Sequence, residues 1–404
     1  MRHLLIDSFV NRVSAGPTVT FVGHDASRTG APVMLYSFLR WLQSEGIQGV
    51  ELALLAAGPL LSEYQRVAPT HVLASRLVRR SEQLRAVMNS LGHPIAVPSA
   101  IQGIGLRGIA KSEIVMANTL ASLNTARLLA ARSGQNGKPS ELVCHVHELD
   151  GVAERVLPAS PPVRERLLSS VDRFAAASEA VAEMLVDRLG ISSGRVTVIE
   201  EFIEAPRPSS RAVSMALQRM VGEANRPVIL NVGAMNHRKG PERFVDLMST
   251  LVAHPSLPVG VWLGGERGSS VWLEMEHSIA ASGLQDCVVL LESREDSASY
   301  IAAADLVVST AIEDPYPLSV LEAGAAGKAV VSFESGGVID MLRAVGQAEL
   351  LLPIGDTLGM SAAVASLLDN PRDRELIGTQ LAEWVNTTHL VEHIAPALWQ
   401  VVKG

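Results

Sequence analysis

The chain contains few cysteines and few aromatic residues. Cys144 and Cys287 are the only two cysteines among 404 residues, and each lies in or directly beside a predicted strand of a different half. Two isolated cysteines exclude a disulfide framework and a cysteine-based metal cluster, and we expect both to be small buried apolar residues. Aromatic residues make up 4% of the chain, against 48% for hydrophobic residues. This composition favours parallel sheets covered by helices.

Long apolar runs and an excess of positive charge are also missing. The most apolar stretch, residues 50–61, carries Glu51 and Pro59 and is too short to cross a bilayer. The first nine residues lack a signal-peptide apolar region, so we expect a cytoplasmic protein. With a net charge of −8, the molecule has no general attraction to nucleic acid.

One local basic cluster departs from this charge balance. It could contact an anionic acceptor or the inner face of a membrane, whereas a solvated helix face is the simpler interpretation. The cluster consists of Arg76, Arg79, Arg80 and Arg85.

Strand-like and helix-like segments alternate from end to end. This alternation indicates β-α-β units and parallel sheets, and the length allows two domains with separate cores. A Pro/Ser-rich stretch at 205–211 is typical of a linker, so we expect an α/β protein with domains at 1–205 and 206–385. The predicted strands are 18–22, 51–55, 113–117, 141–146, 173–177, 195–199, 228–232, 259–263, 288–291, 306–309, 329–333 and 350–352. After Pro371 the chain is predicted to be helical to its end.

The unusual residues of the chain follow five of these strands. Doubly wound sheets bind ligands at the carboxyl ends of their strands. Because the five segments come from both halves, we expect a ligand in the cleft between the domains. The segments are 23–31, 145–148, 233–240, 264–266 and 313–322.

The segment 313–322 is the most informative of the five. It leads from an apolar strand into a short helix, where the backbone N–H groups of Leu318 and Ser319 would suit a phosphate. Asp314 and Glu322 flank this position, and carboxylates there are better explained as acceptors for sugar hydroxyls than as phosphate ligands. The combination predicts a nucleotide-sugar site. Solvated acidic surface is the alternative for either carboxylate alone.

Several short sequences of this chain occur together in one enzyme family. They are residues 24–32 (HDASRTGAP), 147–148 (HE), 177–181 (ASEAV), 231–233 (NVG), 238–240 (RKG), 313–323 and 336–337 (GG). Through them the chain resembles the family-four retaining glycosyltransferases of GT-B fold over nearly its whole length. The resemblance implies two Rossmann-like domains facing a cleft, an acceptor site in the first, a donor site in the second, and a last segment, 386–404, that crosses back onto the first domain.

The resemblance also implies a reaction used in glycan biosynthesis. A sugar would pass from a nucleotide diphosphate donor to an acceptor hydroxyl with retention of the anomeric configuration. A lipid-linked glycan, a polysaccharide and a small molecule all fit as acceptors. The alternatives are a nucleotide-sugar 2-epimerase, which uses no acceptor, and a non-catalytic relative that binds nucleotide sugars.

The resemblance assigns the positive side of the site. Lys239 corresponds to the basic residue that binds the departing diphosphate, where a fixed cation offsets growing charge. The family usually has an arginine where this chain has Ala234, and we expect Arg238 to replace it. Gly30 corresponds to a loop that lets the backbone approach the diphosphate. A solvated lysine and an ordinary helix N-terminus are the alternative interpretations of Lys239 and Gly30.

The resemblance assigns the carboxylates and a histidine as well. Glu322 corresponds to the acidic residue that binds the ribose hydroxyls. Asp314 takes the place of a carboxylate that faces the transferred sugar, and the neighbouring Glu313 is the other candidate for that role. His147 corresponds to the active-site histidine near the reacting carbon. His145 is its rival, and a structural histidine packed at the strand end is the alternative to both.

Two further features bear on the chemistry. The family's usual Asn-Gly turn near the linker is replaced by Glu201-Phe202. No Asp-x-Asp triplet, with which glycosyltransferases of the other major fold hold a divalent metal, occurs in the sequence. We therefore expect no cofactor and no metal, with Lys239, Arg238 and a helix N-terminus supplying the positive charge.

Overall fold

Two parallel sheets organise the chain. The computed structural model describes residues 17–73, 108–134, 138–206 and 226–404, together with Val213, Met215 and Leu217. Within these residues one sheet has seven strands and the other six, and the strand pairs in both are parallel. The predicted α/β class is confirmed. Parallel neighbours need crossover connections, which the helical segments provide.

The first sheet and the helices packed on it form the first lobe. Its strands are β1 (Val19–Gly23), β2 (Val50–Leu54), β3 (Thr70–Val72), β4 (Ile114–Ala117), β5 (Glu141–Val146), β6 (Arg173–Ala176) and β7 (Val196–Val198). Its helices are α1 (Gly30–Ser44), α2 (Leu61–Val67), α3 (Leu120–Ser133), α4 (Asp150–Val156), α5 (Pro161–Ser169) and α6 (Glu179–Glu183). The strand order is β3-β2-β1-β4-β5-β6-β7, so the winding reverses between β1 and β4. A crevice forms at the carboxyl ends of such a pair.

The second sheet and its helices form the second lobe. Its strands are β8 (Val228–Val232), β9 (Val259–Gly265), β10 (Val288–Glu292), β11 (Leu306–Ser309), β12 (Val330–Phe333) and β13 (Leu351–Leu352). Its helices are α7 (Pro241–Leu251), α8 (Ser270–Ala281), α9 (Ser297–Ala303), α10 (Leu318–Ala325), α11 (Val338–Ala344), α12 (Thr357–Asp369) and α13 (Pro371–Thr388). The order β10-β9-β8-β11-β12-β13 reverses between β8 and β11, in the same way as in the first lobe.

The strands are apolar because both faces of each sheet are covered. Phe21 and Val22 are neighbours on β1 and are both fully buried, yet they belong to separate cores on opposite faces of the first sheet. Successive side chains of a strand point to opposite faces, so continuous burial requires apolar residues at consecutive positions. This explains why the strands could be recognised from the sequence.

The last two helices pack on different lobes. The first of them, α13, buries Leu381 and Val385 in the core of the second lobe. The final helix, α14 (Val391–Lys403), buries Leu398 and Val402 in the core that contains Phe21. The chain thus returns to the first lobe, as the resemblance implied.

A short backbone bridge joins the two places where the chain passes between lobes. The Ile203 N–H donates to the His389 carbonyl oxygen at 3.0 Å, and the Val391 N–H donates to the Ile203 carbonyl oxygen at 2.9 Å. Phe202 packs in the first lobe, whereas Ile203 packs in the second. The chain therefore first leaves the first lobe between the adjacent residues Phe202 and Ile203.

Some predicted elements differ from the structure. The short edge strand β3 was not predicted, and the C-terminal helical region is interrupted at His389 and Leu390. The domain limits at 205/206 and 385/386 fall between the sheets and near that interruption, and their positions stay a prediction. The arginine cluster at 76–85 and residues 207–211 of the predicted linker lie outside the described residues.

No helix in the described part of the chain is long and apolar enough to cross a membrane.

Candidate active site

The reversal point of the second sheet brings two of the predicted segments together. The loops after β8 and β11 leave from neighbouring strands. The Thr310 hydroxyl lies 3.2 Å from the Lys239 carbonyl oxygen and 2.9 Å from that of Gly240, and it accepts a hydrogen bond of 2.8 Å from the Asn231 side-chain amide. One hydroxyl thus fixes the two loops to each other and to β8.

A tight turn positions Lys239. The Asn236 side chain accepts a hydrogen bond of 3.2 Å from the Lys239 N–H, which caps the helical turn His237–Lys239. Gly240 follows with φ of +69°, and a Cβ there would lie 2.1 Å from the Thr310 carbonyl oxygen. Only glycine tolerates both this conformation and this approach. The turn therefore directs the lysine side chain back across the end of β8, where it packs against Gly233.

The Lys239 ammonium contacts the Asp314 carboxylate directly. Both side chains are largely buried, with 17% and 9% of their surfaces exposed. The Asp314 N–H donates to the Ser335 hydroxyl at 2.9 Å. A Cβ on Gly336 would lie 1.9 Å from the Asp314 carbonyl oxygen, so the loop after β12 presses on this residue. Two residues predicted for the site therefore form one ion pair.

Arg238 and Glu313 have different roles from this pair. The Arg238 guanidinium donates to the Glu313 carbonyl oxygen. The Glu313 carboxylate points to the first lobe, where it accepts a hydrogen bond of 3.2 Å from the Val152 N–H in α4. A Cβ on Gly151 would lie 2.5 Å from that carboxylate. Of the two adjacent carboxylates, Asp314 is therefore the one beside Lys239, and Glu313 links the lobes.

The N-terminus of α10 lies on the same loop. Its first hydrogen bonds run from the Val320 and Leu321 N–H groups to the Pro317 carbonyl oxygen at 3.0 and 3.3 Å. The N–H groups of Leu318 and Ser319 thus precede the helical hydrogen bonds, as predicted from the sequence.

Glu322 is a half-buried residue on α10. Burial raises the pKa of its carboxyl to about 7, because a charged carboxylate is disfavoured where water is excluded. It therefore changes charge near neutral pH.

The first lobe contributes the loop before α1. Gly30 starts this helix, and a Cβ added to it would meet no atom within 4 Å. Two residues earlier, the Arg28 guanidinium pairs with Glu63 at 2.7 Å and with Glu295 at 3.0 Å. Glu295 follows β10, so this loop contacts the binding edge of the second lobe. The open space beside Gly30 therefore lies next to a contact between the lobes.

Two histidines and Glu201 form a buried cluster at the end of β5. The rings of His145 and His147 are 3.9 Å apart, and His147 Nδ1 contacts the Glu201 carboxylate. Four buried atoms of these three side chains have no hydrogen-bond partner within the described residues. They are His145 Nδ1, His145 Nε2, His147 Nε2 and Glu201 Oε2. An unsatisfied buried polar group costs about 1–3 kcal/mol, so this concentration needs an explanation.

Burial dominates the electrostatics of the cluster. It lowers the pKa of both imidazoles and raises that of the Glu201 carboxyl. The negative charge of Asp314 raises the pKa of Glu201 further, although Asp314 belongs to the other lobe. The cluster and the Lys239–Asp314 pair therefore influence each other across the cleft.

Comparison with known proteins agrees with this architecture. Residues 28–206 match the model of the Glycosyltransferase Family 4, and residues 226–370 match that of the Glycosyl transferases group 1. The two matches cover both lobes. The chain belongs to the group 1, family-four glycosyltransferases.

Curated relatives of this family-four glycosyltransferase are similar over part of its length. The D-inositol 3-phosphate glycosyltransferase of Kineococcus radiotolerans is 28% identical over 237 residues, which are 54% of this chain and 54% of the relative. The lipopolysaccharide core biosynthesis glycosyltransferase LpsE of Rhizobium meliloti is 26% identical over 224 residues, which are 55% of this chain and 60% of the relative. The chain thus spans about half the length of the curated relatives it matches.

A solved structure matches nearly the whole family-four chain. Anabaena HepE, in complex with UDP and glucose, aligns with a TM-score of 0.78 and 17% identity, over 96% of this chain and 100% of that one. At this identity the likeness shows the fold, and the fold is GT-B.

Sequence reasoning left several residues of this family-four glycosyltransferase without a role. Thr310 and Ser335 hold the loops, and the Glu148 carboxylate joins β5 to α3 by accepting hydrogen bonds of 3.0 Å from the N–H groups of His147 and Leu120. Glu201 was recognised only as a departure from the family pattern. Its position just after β7, at the binding edge, was the available signal.

Proposed function

We propose that this protein is a retaining glycosyltransferase that transfers a sugar from a nucleotide diphosphate donor to an acceptor hydroxyl. The contact between Lys239 and Asp314 at the reversal point of the second sheet carries the proposal. It puts a cation and a carboxylate side by side next to the N-terminus of α10. These groups suit the two adjoining parts of one donor, an anionic diphosphate and a hydroxyl-bearing sugar.

Each assigned residue has a physical task in this proposal. Lys239 and the N–H groups of Leu318 and Ser319 would bind the diphosphate and stabilise it as it leaves. Asp314 would accept hydrogen bonds from the transferred sugar, and Glu322 from the ribose. Gly30 would leave room for the diphosphate on the side of the first lobe.

Three further assignments depend on neighbouring contacts. Arg238 would support the diphosphate from its anchor on the loop after β11. Glu313, assigned on sequence grounds to donor binding, would act instead through its contact with α4. His147 would face the donor sugar near the reacting carbon, from the first lobe.

The reaction follows from these positions. The acceptor hydroxyl would attack the anomeric carbon on the face from which the diphosphate leaves, and a donor phosphate oxygen would take its proton. Lys239, Arg238 and the dipole of α10 would offset the charge on the leaving group, so we propose that departure needs no metal on the diphosphate. The retaining stereochemistry rests on the family resemblance.

The donor is best sought among uridine diphosphate sugars first. HepE, which shares the fold, is solved with UDP and with UDP-glucose. The acceptor is proposed to bind the first lobe. The phosphorylated and lipid-linked acceptors that the names of the curated relatives indicate are reasonable first candidates.

The test is to incubate the purified protein with UDP-, GDP-, ADP- and dTDP-sugars and follow nucleoside diphosphate release and the sugar product. We expect slow hydrolysis of one donor class, which stops in Lys239→Ala. An epimerised donor without release would support the epimerase alternative. Donor binding without any turnover, with or without an acceptor mixture, would support the non-catalytic alternative.

A further inference from the structure

The side chains of His145, His147 and Glu201 form a buried polar cluster, and the proposed reaction does not explain why all three are buried together. His145 and Glu201 have 0% and 4% of their surfaces exposed, and the His147 side chain has 6%. One contact, between His147 Nδ1 and Glu201, accounts for only two of the six ring nitrogens and carboxylate oxygens in the group. A protonated histidine paired with the carboxylate would leave the remaining four atoms unsatisfied. These four atoms are available to a ligand that the described residues do not supply.

The backbone brings the three side chains together in a fixed way. His145 and His147 are two residues apart at the end of β5, so both imidazoles lie on one face. Glu201 arrives from two strands away, because the chain after β7 turns across the end of β6. The Ile199 N–H donates to the Ala176 carbonyl oxygen at 2.8 Å, and Ile203 is held by its bridge to His389. Glu201 is therefore fixed by hydrogen bonds on both sides.

We propose that His145, His147 and Glu201 bind a single divalent transition-metal ion, with zinc as the expected metal. One ligand atom from each side chain lies within 4.8 Å of the other two. Tetrahedral ligands at about 2.0 Å from zinc lie roughly 3.3 Å apart, a contraction that side-chain rotation can supply. Two imidazoles with one carboxylate suit zinc, nickel or copper, whereas magnesium and calcium prefer oxygen ligands.

The surrounding charge favours a cation at this position. Glu201 adds a carboxylate to the two imidazoles, and a metal ion between the three side chains would offset the charge of that carboxylate. Lys239 is already paired with Asp314. Three protein ligands would leave a fourth position for water or a hydroxyl.

This site lies apart from the position proposed for the diphosphate at Lys239, but it shares His147 with the contact proposed for the donor sugar. A bound metal would therefore stand beside that sugar, which goes beyond the role given to His147 in the proposed function. It also departs from the expectation of a metal-free chain drawn from the sequence. Since Glu201 stands where the family usually has an Asn-Gly turn, we expect the site in those relatives that carry an acidic residue at this position together with the His-x-His sequence.

The experiment uses untagged, full-length protein, stripped with a chelator and then given one equivalent of zinc. After desalting, elemental analysis should find about one zinc per chain in the wild type and little in His145→Ala and Glu201→Ala. His393→Ala is the matched control, because His393 is exposed on α14, and it should keep the metal. Equal zinc retention in all four proteins would overturn the proposal.

A spectroscopic arm keeps the proposal testable if those variants fail to fold. Cobalt added to the stripped wild-type protein should give the intense visible bands of a four- or five-coordinate site, without thiolate charge transfer, and zinc should displace them. A wild-type protein that takes up neither metal would show that the four atoms bind water or each other. Binding is measured without donor, so an inactive protein that holds zinc would refute only the transferase proposal. An active protein that holds none would refute only this one.

Discussion

Lys239 and Asp314, which are 75 positions apart in the sequence, contact each other where the winding of the second sheet reverses. Each is supplied by a loop that follows a central strand, and Thr310 ties the two loops together. The ion pair holds the Lys239 ammonium in position to bind a leaving group. When no leaving group is bound, the Asp314 carboxylate balances the charge of Lys239.

Replacing Lys239 with alanine should slow sugar transfer by about 10²–10³-fold, the usual loss for a pre-aligned electrostatic group. It should also lower the free energy of unfolding by about 1–3 kcal/mol, because the largely buried Asp314 carboxylate loses its partner. Steady-state kinetics with the identified donor and denaturant titration measure the two effects. His237→Ala, in the same turn but with 65% of its side chain exposed, is the control. Transfer at a near-normal rate by Lys239→Ala would remove this residue from the site.

The two adjacent carboxylates should respond differently to neutral substitutions. Asp314→Asn breaks the ion pair with Lys239 and should reduce kcat by at least about 10²-fold. Glu313→Gln should keep kcat within a few-fold, since the Glu313 side chain binds the Val152 N–H in α4 rather than Lys239 and an amide oxygen can accept the same hydrogen bond. Parallel kcat and KM measurements on the two variants make the comparison. The reverse order of effects would assign the donor sugar to Glu313.

Donor affinity should depend on the charge of Glu322. Burial raises the pKa of this carboxyl to about 7, and only the ionised form offers each ribose hydroxyl its own charged acceptor oxygen. Binding of an intact nucleotide sugar, whose phosphates do not titrate in this range, should therefore weaken about tenfold between pH 8 and pH 6. Calorimetry at several pH values measures the effect. Glu322→Gln should bind more weakly and lose the pH dependence; a variant that keeps the wild-type profile would contradict the ribose assignment.

The same shift has a consequence for stability. The pKa of the Glu322 carboxyl in the folded state lies above its usual value of 4.5. The protonated carboxyl therefore stabilises the folded state fully below pH 4.5, and this stabilisation is lost as the pH rises through about 7. Glu322→Gln should accordingly gain about 1–2 kcal/mol in unfolding free energy relative to wild type between pH 5 and pH 8.

Substitutions at two glycines should separate an effect on stability from an effect on donor binding. Gly240→Ala should destabilise the protein by about 1–3 kcal/mol or more, because φ is +69° and the new methyl group would meet the Thr310 carbonyl oxygen. Gly30→Ala should change the unfolding free energy by no more than about 0.5 kcal/mol, since its Cβ meets no atom within 4 Å, but should weaken donor binding. Thermal unfolding and donor titration of both variants test this. Unchanged donor affinity in Gly30→Ala would place the diphosphate elsewhere.

Most of the fold could be predicted because each central strand is recognisable from its own short stretch of sequence. Strands covered on both faces are apolar at consecutive positions, as in β8 and β11, whose predicted limits match the structure. The edge strand β3 has three residues, none of them buried, and offers no such signal. The break at His389 was missed because the apolar residues on both sides were interpreted as one helical series. The five-residue step from Val385 to Leu390 does not fit the helical period of 3.6 residues and was the available signal.

Only those site residues that directly follow a strand could be predicted from the sequence. Lys239, Asp314 and the N-terminus of α10 follow strands that meet at the reversal point, so sequence position alone brings them together. The direction of Glu313 depends on α4 of the other lobe, and the approach of Glu201 to His147 depends on how the chain turns after β7. Neither relationship has a local pattern in the sequence.

The bridge between Ile203 and the His389–Val391 segment limits how the lobes can move. The polypeptide passes from one lobe to the other twice, and the two passages are hydrogen-bonded to each other at a single place. We therefore expect any opening of the cleft to be a rotation about this paired hinge, because two hydrogen-bonded connections restrict the lobes more than one flexible linker would. Cutting the chain after His389 would remove one half of the hinge and also strip α14 from the core around Phe21, so such a truncation should impair folding as well as motion.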